Sequence, residues 1–527
     1  MTPAGMATIL AEMTHGGGRP VHSGRVGLRE LFPGRFGTAL LISAGVVHVV
    51  AVYMNAGFFG ADEHFLIIEF AQHALGFARA SQLAWEFNAK VRPALQPWIA
   101  AGVIQTAHGV GVMSPFVIAG VLRTMSAILG FGAALALCLR TLGDISSTRL
   151  RTVAVAVALL FWVAPFFHAR FMSENWGGAL GVLGLCLMLD VVDADPRRLP
   201  TGRAVACGLV WSAAFYSRFQ MGFIIAGAGV WALVVRRARV STLSVIAAAF
   251  VVGAGINELL DRALYGVWTF VPFNYLNFNV LQGGATTFGA APWWMPVVYL
   301  AGALIPPYSL VLLAVFAAGM WHARTHVLVW TTVPFVLVHG LIAHKEPRFY
   351  LPLVYVAGPL FAVCVQSLPI QLRDRLAAAL RTGIGRASLV VFTIINLLLL
   401  TATLMLPAHE TYRVYRWLWD RSASTPIELY TLGTSPYEIG GSENTFYRRD
   451  AVVLHPIASS DALRVALASP SRVPRYISYR GLTASSVVSE AGVSCPTVIQ
   501  TFPEWFVRLV GAGLLADAQL LTICGPI

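Results

Sequence analysis

Long apolar blocks fill the sequence between residues 37 and 407, and short polar segments separate them. Each block approaches the roughly 20 apolar residues that an α-helix needs to cross a membrane. The pattern predicts eleven spans, at 37–57, 114–138, 152–168, 176–192, 204–217, 219–235, 242–260, 295–319, 327–343, 350–368 and 387–407. A further apolar stretch at 98–112 fits either another span or a re-entrant segment. We therefore expect an all-α polytopic membrane bundle.

The pattern changes after residue 407, where turn residues appear and the apolar runs become short. Runs typical of β-strands alternate with two helical patterns, the strands at 427–431, 452–455, 476–479, 497–501 and 520–523 and the helices at 459–469 and 503–515. This alternation predicts a small α/β domain outside the membrane. Cys495 and Cys524 both lie in it, and an oxidising compartment would permit a disulfide between them. The sequence leaves open whether they are within reach.

Composition agrees with a membrane protein. The chain is 57% hydrophobic and 12% charged, with a mean hydropathy of +0.69, whereas soluble proteins contain about 25% charged residues. These values exclude a water-soluble enzyme. The net charge of +12 comes almost entirely from arginine, since Lys90 and Lys345 are the only lysines. Loop arginines in membrane proteins set orientation, so we predict no nucleic-acid partner.

Arginines recur in alternate loops. Arg19, Arg25, Arg29 and Arg35 precede the first span, and later clusters lie near residues 140–151, 197–203, 236–239, 324 and 373–386. The positive-inside rule places these loops on the cytoplasmic side. An odd number of spans then places the C-terminal domain on the outer face. The predicted organisation is a cytoplasmic segment at 1–36, a membrane domain at 37–407 and an outer domain at 408–527.

The remaining loops, on the predicted outer face, contain the unusual polar clusters. Asp62 and Glu63 follow the first span. A carboxylate at the membrane surface is partly desolvated and can act as a general base toward a sugar hydroxyl. The alternative is a solvated acidic residue at the N-terminus of a juxtamembrane helix, where negative charge is favourable.

The segment 344–349 concentrates charge between two apolar spans and reads HKEPRF. Lysine supplies a point charge and arginine a planar fork, a combination that suits a phosphate group. Glu346 can orient either cation. The alternative is that Lys345 and Arg348 are snorkelling cations that anchor helix ends among lipid headgroups.

Amide and aromatic side chains alternate in the outer segment 261–295. Asn274, Asn277 and Asn279 lie close to aromatic residues, and amides with aromatic rings are typical of carbohydrate sites. An interfacial aromatic belt is the alternative; it explains Trp293 and Trp294 well but the asparagines poorly. Two shorter polar segments, 170–175 and the turn at Arg218, are expected on the same face.

Several of these segments together resemble glycosyltransferase family 22 of the GT-C superfamily. That family contains the mannosyltransferases of GPI-anchor and asparagine-linked glycan assembly. The likeness rests on residues 62–65 with 85–87 and Arg92, on 170–175, on 261–280 and on the specific motif at 344–349. It covers roughly residues 37–407 and keeps the order of the motifs.

The resemblance implies an inverting transfer from a polyprenyl-phosphate-linked sugar, without a cofactor or metal ion. Asp62 would be the catalytic base, with Glu63 as the substitute candidate. His344, Lys345 and Arg348 would bind the donor phosphate. Supporting roles are implied for Glu346, Arg170, Glu174, Arg218, Asn274, Asn277, Asn279, Trp85 and Glu86.

Mannose is the expected sugar, and a glycan or glycolipid is the expected acceptor. Abundant arginine with almost no lysine suggests a GC-rich bacterial genome, so we expect an inner-membrane protein with a periplasmic site. In a eukaryote the same site would face the ER lumen. Two other hypotheses remain open at this point, a transporter or flippase of lipid-linked sugars and a non-catalytic membrane scaffold.

Overall fold

The computed structural model describes residues 24–194, 200–481, 488, 491–502, 505, 508 and 520–527. Helices dominate and a small sheet lies near the C-terminus, as the sequence predicts. Two compact units are each assembled from separate segments. Unit 1 comprises Met1–Asn55, Lys90–Gln96 and Leu122–Leu406, and unit 2 comprises Ala56–Ala89, Pro97–Val121 and Pro407–Ile527.

The α-helices of the described residues are numbered in chain order. The first ten are α1 (Leu28–Leu31), α2 (Gly34–Met54), α3 (Ala61–Glu63), α4 (Glu69–Ala74), α5 (Trp85–Ala89), α6 (Leu95–Gly109), α7 (Pro115–Thr141), α8 (Thr148–Leu160), α9 (Ala164–His168) and α10 (Ser173–Val192). The next eleven are α11 (Thr201–Ser217), α12 (Met221–Val234), α13 (Val240–Tyr265), α14 (Val271–Leu276), α15 (Met295–Ala303), α16 (Tyr308–His322), α17 (Val327–Leu341), α18 (Leu353–Ser367), α19 (Ile370–Arg381), α20 (Gly383–Met405) and α21 (Tyr412–Arg421). Single π-helical turns occur at His64–Ile68 and Asn277–Leu281.

Five of the described helices are long and apolar enough to cross a membrane, namely α2, α7, α10, α13 and α20. The pairs α15–α16 and α18–α19 are bent by 117° and 113°, and they raise the number to seven if each pair is one span. The predicted number of eleven is not confirmed. One reason is that the apolar blocks at 219–235 and 327–343 form helices of only 14 and 15 residues. Another is that the block at 152–168 divides between α8 and α9.

Small residues allow close helix contacts in unit 1. A Cβ atom built on Gly208 of α11 would overlap the Ile246 carbonyl oxygen of α13. One built on Gly227 of α12 would overlap the Trp330 carbonyl oxygen of α17. Close backbone contact at small residues is a common way for membrane helices to pack.

Helix α10 carries ionic clusters at both ends. At its C-terminal end, Asp190 and Asp193 pair with arginines from three predicted cytoplasmic segments, Arg25, Arg140 and Arg236. Glu174 lies in the first turn, about 24 Å away along an α-helix of that length. Three of the arginines that predicted the cytoplasmic side therefore meet at the C-terminal end of α10, and Glu174 lies at its N-terminal end.

The C-terminal part of unit 2 contains a five-stranded sheet. Its strands are β1 (Ile427–Leu432), β4 (Val452–Ile457), β5 (Arg475–Arg480), β6 (Thr497–Gln500) and β7 (Leu521–Cys524), in the order β4-β1-β5-β7-β6. β1 pairs in parallel with β4 and β5, whereas β7 is antiparallel to β5 and β6. A short hairpin, β2 (Glu438–Ile439) and β3 (Ser442–Glu443), and helix α22 (Ser460–Ala468) complete the described strands and α-helices.

The strand and helix predictions for this region are confirmed where the structure describes them. All five predicted strands are present within a residue or two, and α22 occupies the predicted 459–469 segment. Ser459 caps α22 by accepting a hydrogen bond from the Ala462 amide. The predicted helix at 503–515 lies outside the described residues apart from Trp505 and Arg508. Cys495 and Cys524 form a disulfide, so the two side chains are within reach of each other.

Candidate active site

The HKEPRF segment forms a compact ionic cluster between α17 and α18. Pro347 begins a 3₁₀ turn, Pro347–Tyr350, and Glu346 before it is extended, as a residue preceding proline favours. The Glu346 carboxylate lies 2.7 Å from Arg348 Nε and 2.9 Å from His344 Nε2. The other ring nitrogen, His344 Nδ1, lies 3.1 Å from the Gly289 carbonyl oxygen. The His344 ring therefore lies between the Glu346 carboxylate and the loop backbone at residue 289.

Lys345 binds backbone. Its ammonium group donates to the carbonyl oxygens of Ala291 at 2.8 Å, Ile342 at 2.5 Å and Ala343 at 3.4 Å. The side chain is buried, and this desolvation lowers its pKa below the ordinary value. In this structure Lys345 therefore joins the loop at 289–291 to the loop that follows α17.

Three of the predicted outer segments meet around the ring of Phe349. Arg218, in the turn between α11 and α12, pairs with Glu174 at 3.1 Å, and both side chains are buried. The Arg218 guanidinium lies 5.2 Å from the centre of the Phe349 ring, and the Arg348 guanidinium lies 5.7 Å from the same ring. These are cation–π distances. The segments 173–174, 218 and 344–349 are thus parts of one cluster in unit 1.

A cavity of about 510 Å³ in unit 1 extends beside this cluster. Its wall is mainly apolar and rich in aromatic rings, and it includes Phe349 and His344. The remaining lining residues are Phe215, Phe219, Gln220, Gly222, Phe223, Ala226, Phe270, Pro272, Phe273, Tyr275, Leu276, Asn279, Val280, Ala285, His339 and Ile342. A concave apolar chamber with a few polar groups is the usual form of a small-molecule or lipid site.

Three polar groups of the cavity were absent from the predicted set. The Gln220 amide donates to the Tyr275 hydroxyl at 2.7 Å, and His339 Nδ1 lies 2.7 Å from the Phe335 carbonyl oxygen. His339 could have been noticed as a lone ionisable residue inside an apolar block, since such residues often mark functional sites in membranes. Tyr275 lies in the amide and aromatic segment that the sequence singled out, whereas Gln220 gave no comparable signal.

The predicted asparagines have different positions. Asn279 lines the cavity, and its amide donates to the Tyr275 carbonyl oxygen at 3.0 Å. The Asn274 amide donates to the Lys90 carbonyl oxygen and the Thr269 hydroxyl, so it holds loop backbone in place. Asn277 is half-buried at the start of a π-helical turn and is not among the cavity residues.

Arg170 also lies apart from the cavity. It is fully buried in unit 1, where its guanidinium donates to the Asn55 carbonyl oxygen and lies 5.5 Å from the Phe166 ring centre. Asp261, from the segment that carried part of the resemblance, accepts a hydrogen bond from the Ala94 amide at 2.6 Å. These contacts of Arg170 and Asp261 stabilise the fold.

The acidic loop belongs to unit 2. Asp62 is half-buried in the short helix α3. This helix begins directly after Gly60, whose φ of 85° lies in the left-handed region. Glu63 is buried, and its carboxylate accepts a hydrogen bond from the Phe59 amide at 2.5 Å. Glu63 therefore stabilises its own loop, and Asp62 is the more accessible carboxylate. Trp85 is exposed and Glu86 half-buried, both in α5.

Of the predicted site residues, Asp62, Glu63, Trp85 and Glu86 belong to unit 2 and the others to unit 1. The structure brings together Glu174, Arg218 and the 344–349 segment, and it adds Asn279 at the adjoining cavity. That Asp62 acts on a substrate held by this cluster stays a prediction. Within the described ranges no group of three His, Cys, Asp or Glu side chains could hold a metal ion. Metal independence stays a prediction as well.

Comparison with known proteins gives concordant results. A model of the Alg9-like mannosyltransferase family matches residues 39–423. Mannosyltransferase APTG1 of Arabidopsis thaliana is 25% identical over 339 residues, which cover 62% of this chain and 59% of that protein. GPI mannosyltransferase 3 of Yarrowia lipolytica is 25% identical over 348 residues, 65% of each chain. The matched region thus spans less than two thirds of the length of these relatives.

The fold is shared with a solved membrane protein structure. ArnT from Cupriavidus metallidurans, bound to undecaprenyl phosphate, superposes with a TM-score of 0.51 at 14% identity and covers 92% of this chain and 97% of its own. This likeness supports the GT-C fold. Together with the apolar helices and the relatives, it indicates an integral multi-pass membrane protein. Because the family model matches well over half of the sequence, the chain belongs to the Alg9-like mannosyltransferase family.

Proposed function

We propose that this protein is a membrane glycosyltransferase that moves a hexose, mannose, from a polyprenyl-phosphate donor to a glycan or glycolipid acceptor. The observation that carries the proposal is the pair of guanidinium groups, Arg218 and Arg348, on the ring of Phe349 beside an aromatic cavity. The relatives, which are named as mannosyltransferases, support mannose as the sugar. The ArnT structure holds undecaprenyl phosphate in the same fold.

The charge balance of the cluster suits an anionic donor. Arg218, Lys345 and Arg348 provide three cations against the carboxylates of Glu174 and Glu346. Arginine can bind a phosphate through two parallel hydrogen bonds. The donor phosphate would bind Arg348 and His344, with Arg218 close to the same ring, and Lys345 would support the loop. The apolar cavity would accept the first isoprenoid units.

The reaction is an inverting displacement. The acceptor hydroxyl attacks the anomeric carbon and gives its proton to the Asp62 carboxylate, while the bond from that carbon to the phosphate oxygen breaks. The electron pair leaves with the lipid phosphate, whose negative charge the cations stabilise. One base is sufficient, because an inverting reaction forms no covalent enzyme intermediate.

We further propose that the site faces the outer side of the membrane, the periplasm of a bacterium. Arg25, Arg140 and Arg236 meet at the end of α10 opposite to Glu174, which supports this orientation under the positive-inside rule. The disulfide between Cys495 and Cys524 supports an oxidising compartment for the C-terminal domain.

A transfer assay with two donor classes tests the proposal. Purified protein in lipid nanodiscs is incubated with extracted lipids and either radiolabelled polyprenyl-phosphate mannose or a nucleotide-linked mannose. We expect labelled product from the lipid-linked donor alone, with an anomeric configuration opposite to that of the donor. Absence of labelled product, transfer from the nucleotide sugar or retention of configuration would each contradict the proposal.

A further inference from the structure

Glu69 is a fully buried carboxylate that carries no role in the reaction described above. It lies seven residues after Asp62, about 10 Å along the same helical segment. Between them the chain makes a π-helical turn, His64–Ile68, which brings His64 Nε2 to 2.9 Å from Glu69 Oε1, five residues away. π-Helical turns of this kind frequently occur at functional sites.

The other partners of Glu69 come from the C-terminal segment. Its carboxylate accepts hydrogen bonds from the Thr445 amide at 3.0 Å, the Thr445 hydroxyl at 2.5 Å and the Phe446 amide at 3.1 Å. All these residues belong to unit 2, although 376 positions separate Glu69 from Thr445. Hydrogen bonds to a buried carboxylate are charge-assisted and roughly twice as strong as neutral ones.

A column of stacked aromatic rings joins the same two segments. His64 stacks on Phe58 at 4.8 Å and on Tyr447 at 5.4 Å, measured between ring centres. Tyr447 stacks on Tyr415 of α21 at 5.5 Å, and Tyr415 stacks on Tyr437 at 5.4 Å. The acidic loop and the C-terminal segment are therefore joined by packing as well as by polar contacts.

We infer that the C-terminal segment positions the catalytic base, and that Glu69 is the positioning residue through which it does so. The inference rests on the proposed function, because it assigns the base to Asp62. The loop at 444–447 fixes Glu69, Glu69 fixes the π-helical turn, and this turn sets the direction of the short helix that carries Asp62. The outer domain is thereby part of the catalytic apparatus.

Two substitutions of graded severity test the inference. Glu69→Gln keeps the size of the side chain and removes its charge, whereas Thr445→Val removes only the hydroxyl donor. Asp461→Asn is the matched control, because this carboxylate is 82% exposed on α22 and pairs only with Arg464 among the contacts the structure describes. Amide hydrogen exchange at residues 445–446 and on strand β1, kcat, and the KM for the lipid-linked donor are measured for each variant.

We expect Glu69→Gln to speed amide exchange at 445–446 and to lower kcat by ~10-fold. A tenfold change is the size of effect expected from the loss of one charge-assisted hydrogen bond. The donor KM and the exchange rates on β1 should stay within about twofold of wild type. A twofold change corresponds to a free-energy difference below about 0.5 kcal/mol. Thr445→Val should fall between Glu69→Gln and the control. A merely structural role would instead speed exchange on β1 or raise KM along with the loss of kcat.

Three outcomes would overturn the inference. They are unchanged exchange at 445–446 in Glu69→Gln, faster exchange there with unchanged kcat, and a uniform loss of protection that includes β1. Failure of the proposed function is a separate result, because wild-type protein would then transfer no sugar from the lipid-linked donor. In that case the exchange data alone would establish or refute the contact between Glu69 and the 444–447 loop, and the assignment to catalysis would fall.

Discussion

At the scale of single residues, the ring of Phe349 organises the predicted phosphate cluster. Two guanidinium groups lie over it, and each is also paired with a carboxylate, Arg218 with Glu174 and Arg348 with Glu346. A cation held by both a ring and a carboxylate keeps a fixed position, so binding a phosphate costs it little conformational freedom. The cluster is therefore preorganised.

The structure distinguishes the two cations of the HKEPRF segment. We predict that Arg348→Gln raises the donor KM by about tenfold or more, because a charged hydrogen bond contributes about 1.5–3 kcal/mol. Lys345→Gln should lower the melting temperature more than it raises KM, because its ammonium group binds three carbonyl oxygens. Donor titrations and thermal unfolding of both variants check this, with Arg464→Gln as the exposed control. Equal effects of the two substitutions on KM would contradict the distinction.

Sequence alone predicted where charged residues lie along the chain, but not which contacts each of them makes. The motif at 344–349 and the polar turns at 174 and 218 showed where charge concentrates between apolar blocks. The sequence could not show that Lys345 satisfies backbone carbonyls, because carbonyl positions depend on the folded loops. For the same reason the hydrogen bonds from residues 445 and 446 to Glu69 could not be foreseen.

At the scale of elements, the close contact between α12 and α17 should make stability sensitive to side-chain size at Gly227. Gly227→Val should destabilise the protein by about 2 kcal/mol, a typical cost of overpacking. The new side chain would overlap the Trp330 carbonyl. Gly229→Val is the matched control on the same helix, because a Cβ there meets nothing within 4 Å. Thermal unfolding in detergent measures both, and equal destabilisation by the two variants would show that the contact is not tight.

The stability of the protein should depend on pH through His409, which lies in the connection between α20 and α21. Burial lowers the pKa of His409 from 6.5 to about 4, an effect that Glu410 opposes and that His64 and Arg480 reinforce. Between about pH 6.5 and 4 the unfolded chain therefore binds more protons than the folded chain. The contribution of the neutral His409 ring to the free energy of unfolding is fully present above pH 6.5. It decreases as the pH falls through that range.

Melting temperatures between pH 7.5 and 4.5 test the role of His409. His409→Gln, which cannot titrate, should lose less stability over this range than wild type. The Thr411 amide, which donates to His409 Nδ1 at 3.2 Å, supports the neutral ring in the folded state. Identical pH dependence in both proteins would contradict the assignment to His409.

Element prediction from sequence succeeded where the pattern itself determines structure. Apolar blocks became helices, and the five short β-type runs became strands. Counting spans was less successful, since hydropathy does not reveal bends such as the 117° break between α15 and α16. Bends and short helices depend on packing against neighbours, and that information is spread over distant parts of the sequence.

At the scale of the whole molecule, the orientation can be tested through cysteine chemistry. The four free cysteines, Cys138, Cys186, Cys207 and Cys364, lie in apolar helices, whereas Cys495 and Cys524 are bridged. In spheroplasts, a membrane-impermeant maleimide should label two thiols only after treatment with an impermeant reductant. A Cys495→Ser, Cys524→Ser double variant should show no labelling. Labelling that requires permeabilised cells would contradict an outer-face domain.

The role of Asp62 as the base of a transfer from a lipid-linked donor can be measured directly. The measurement is the turnover number of Asp62→Asn with radiolabelled polyprenyl-phosphate mannose, beside Asp461→Asn as the control. We predict at least a hundredfold loss of kcat, the lower end of what general base catalysis contributes, with unchanged donor binding and a normal melting temperature. Turnover close to wild type in a folded Asp62→Asn protein would contradict the account.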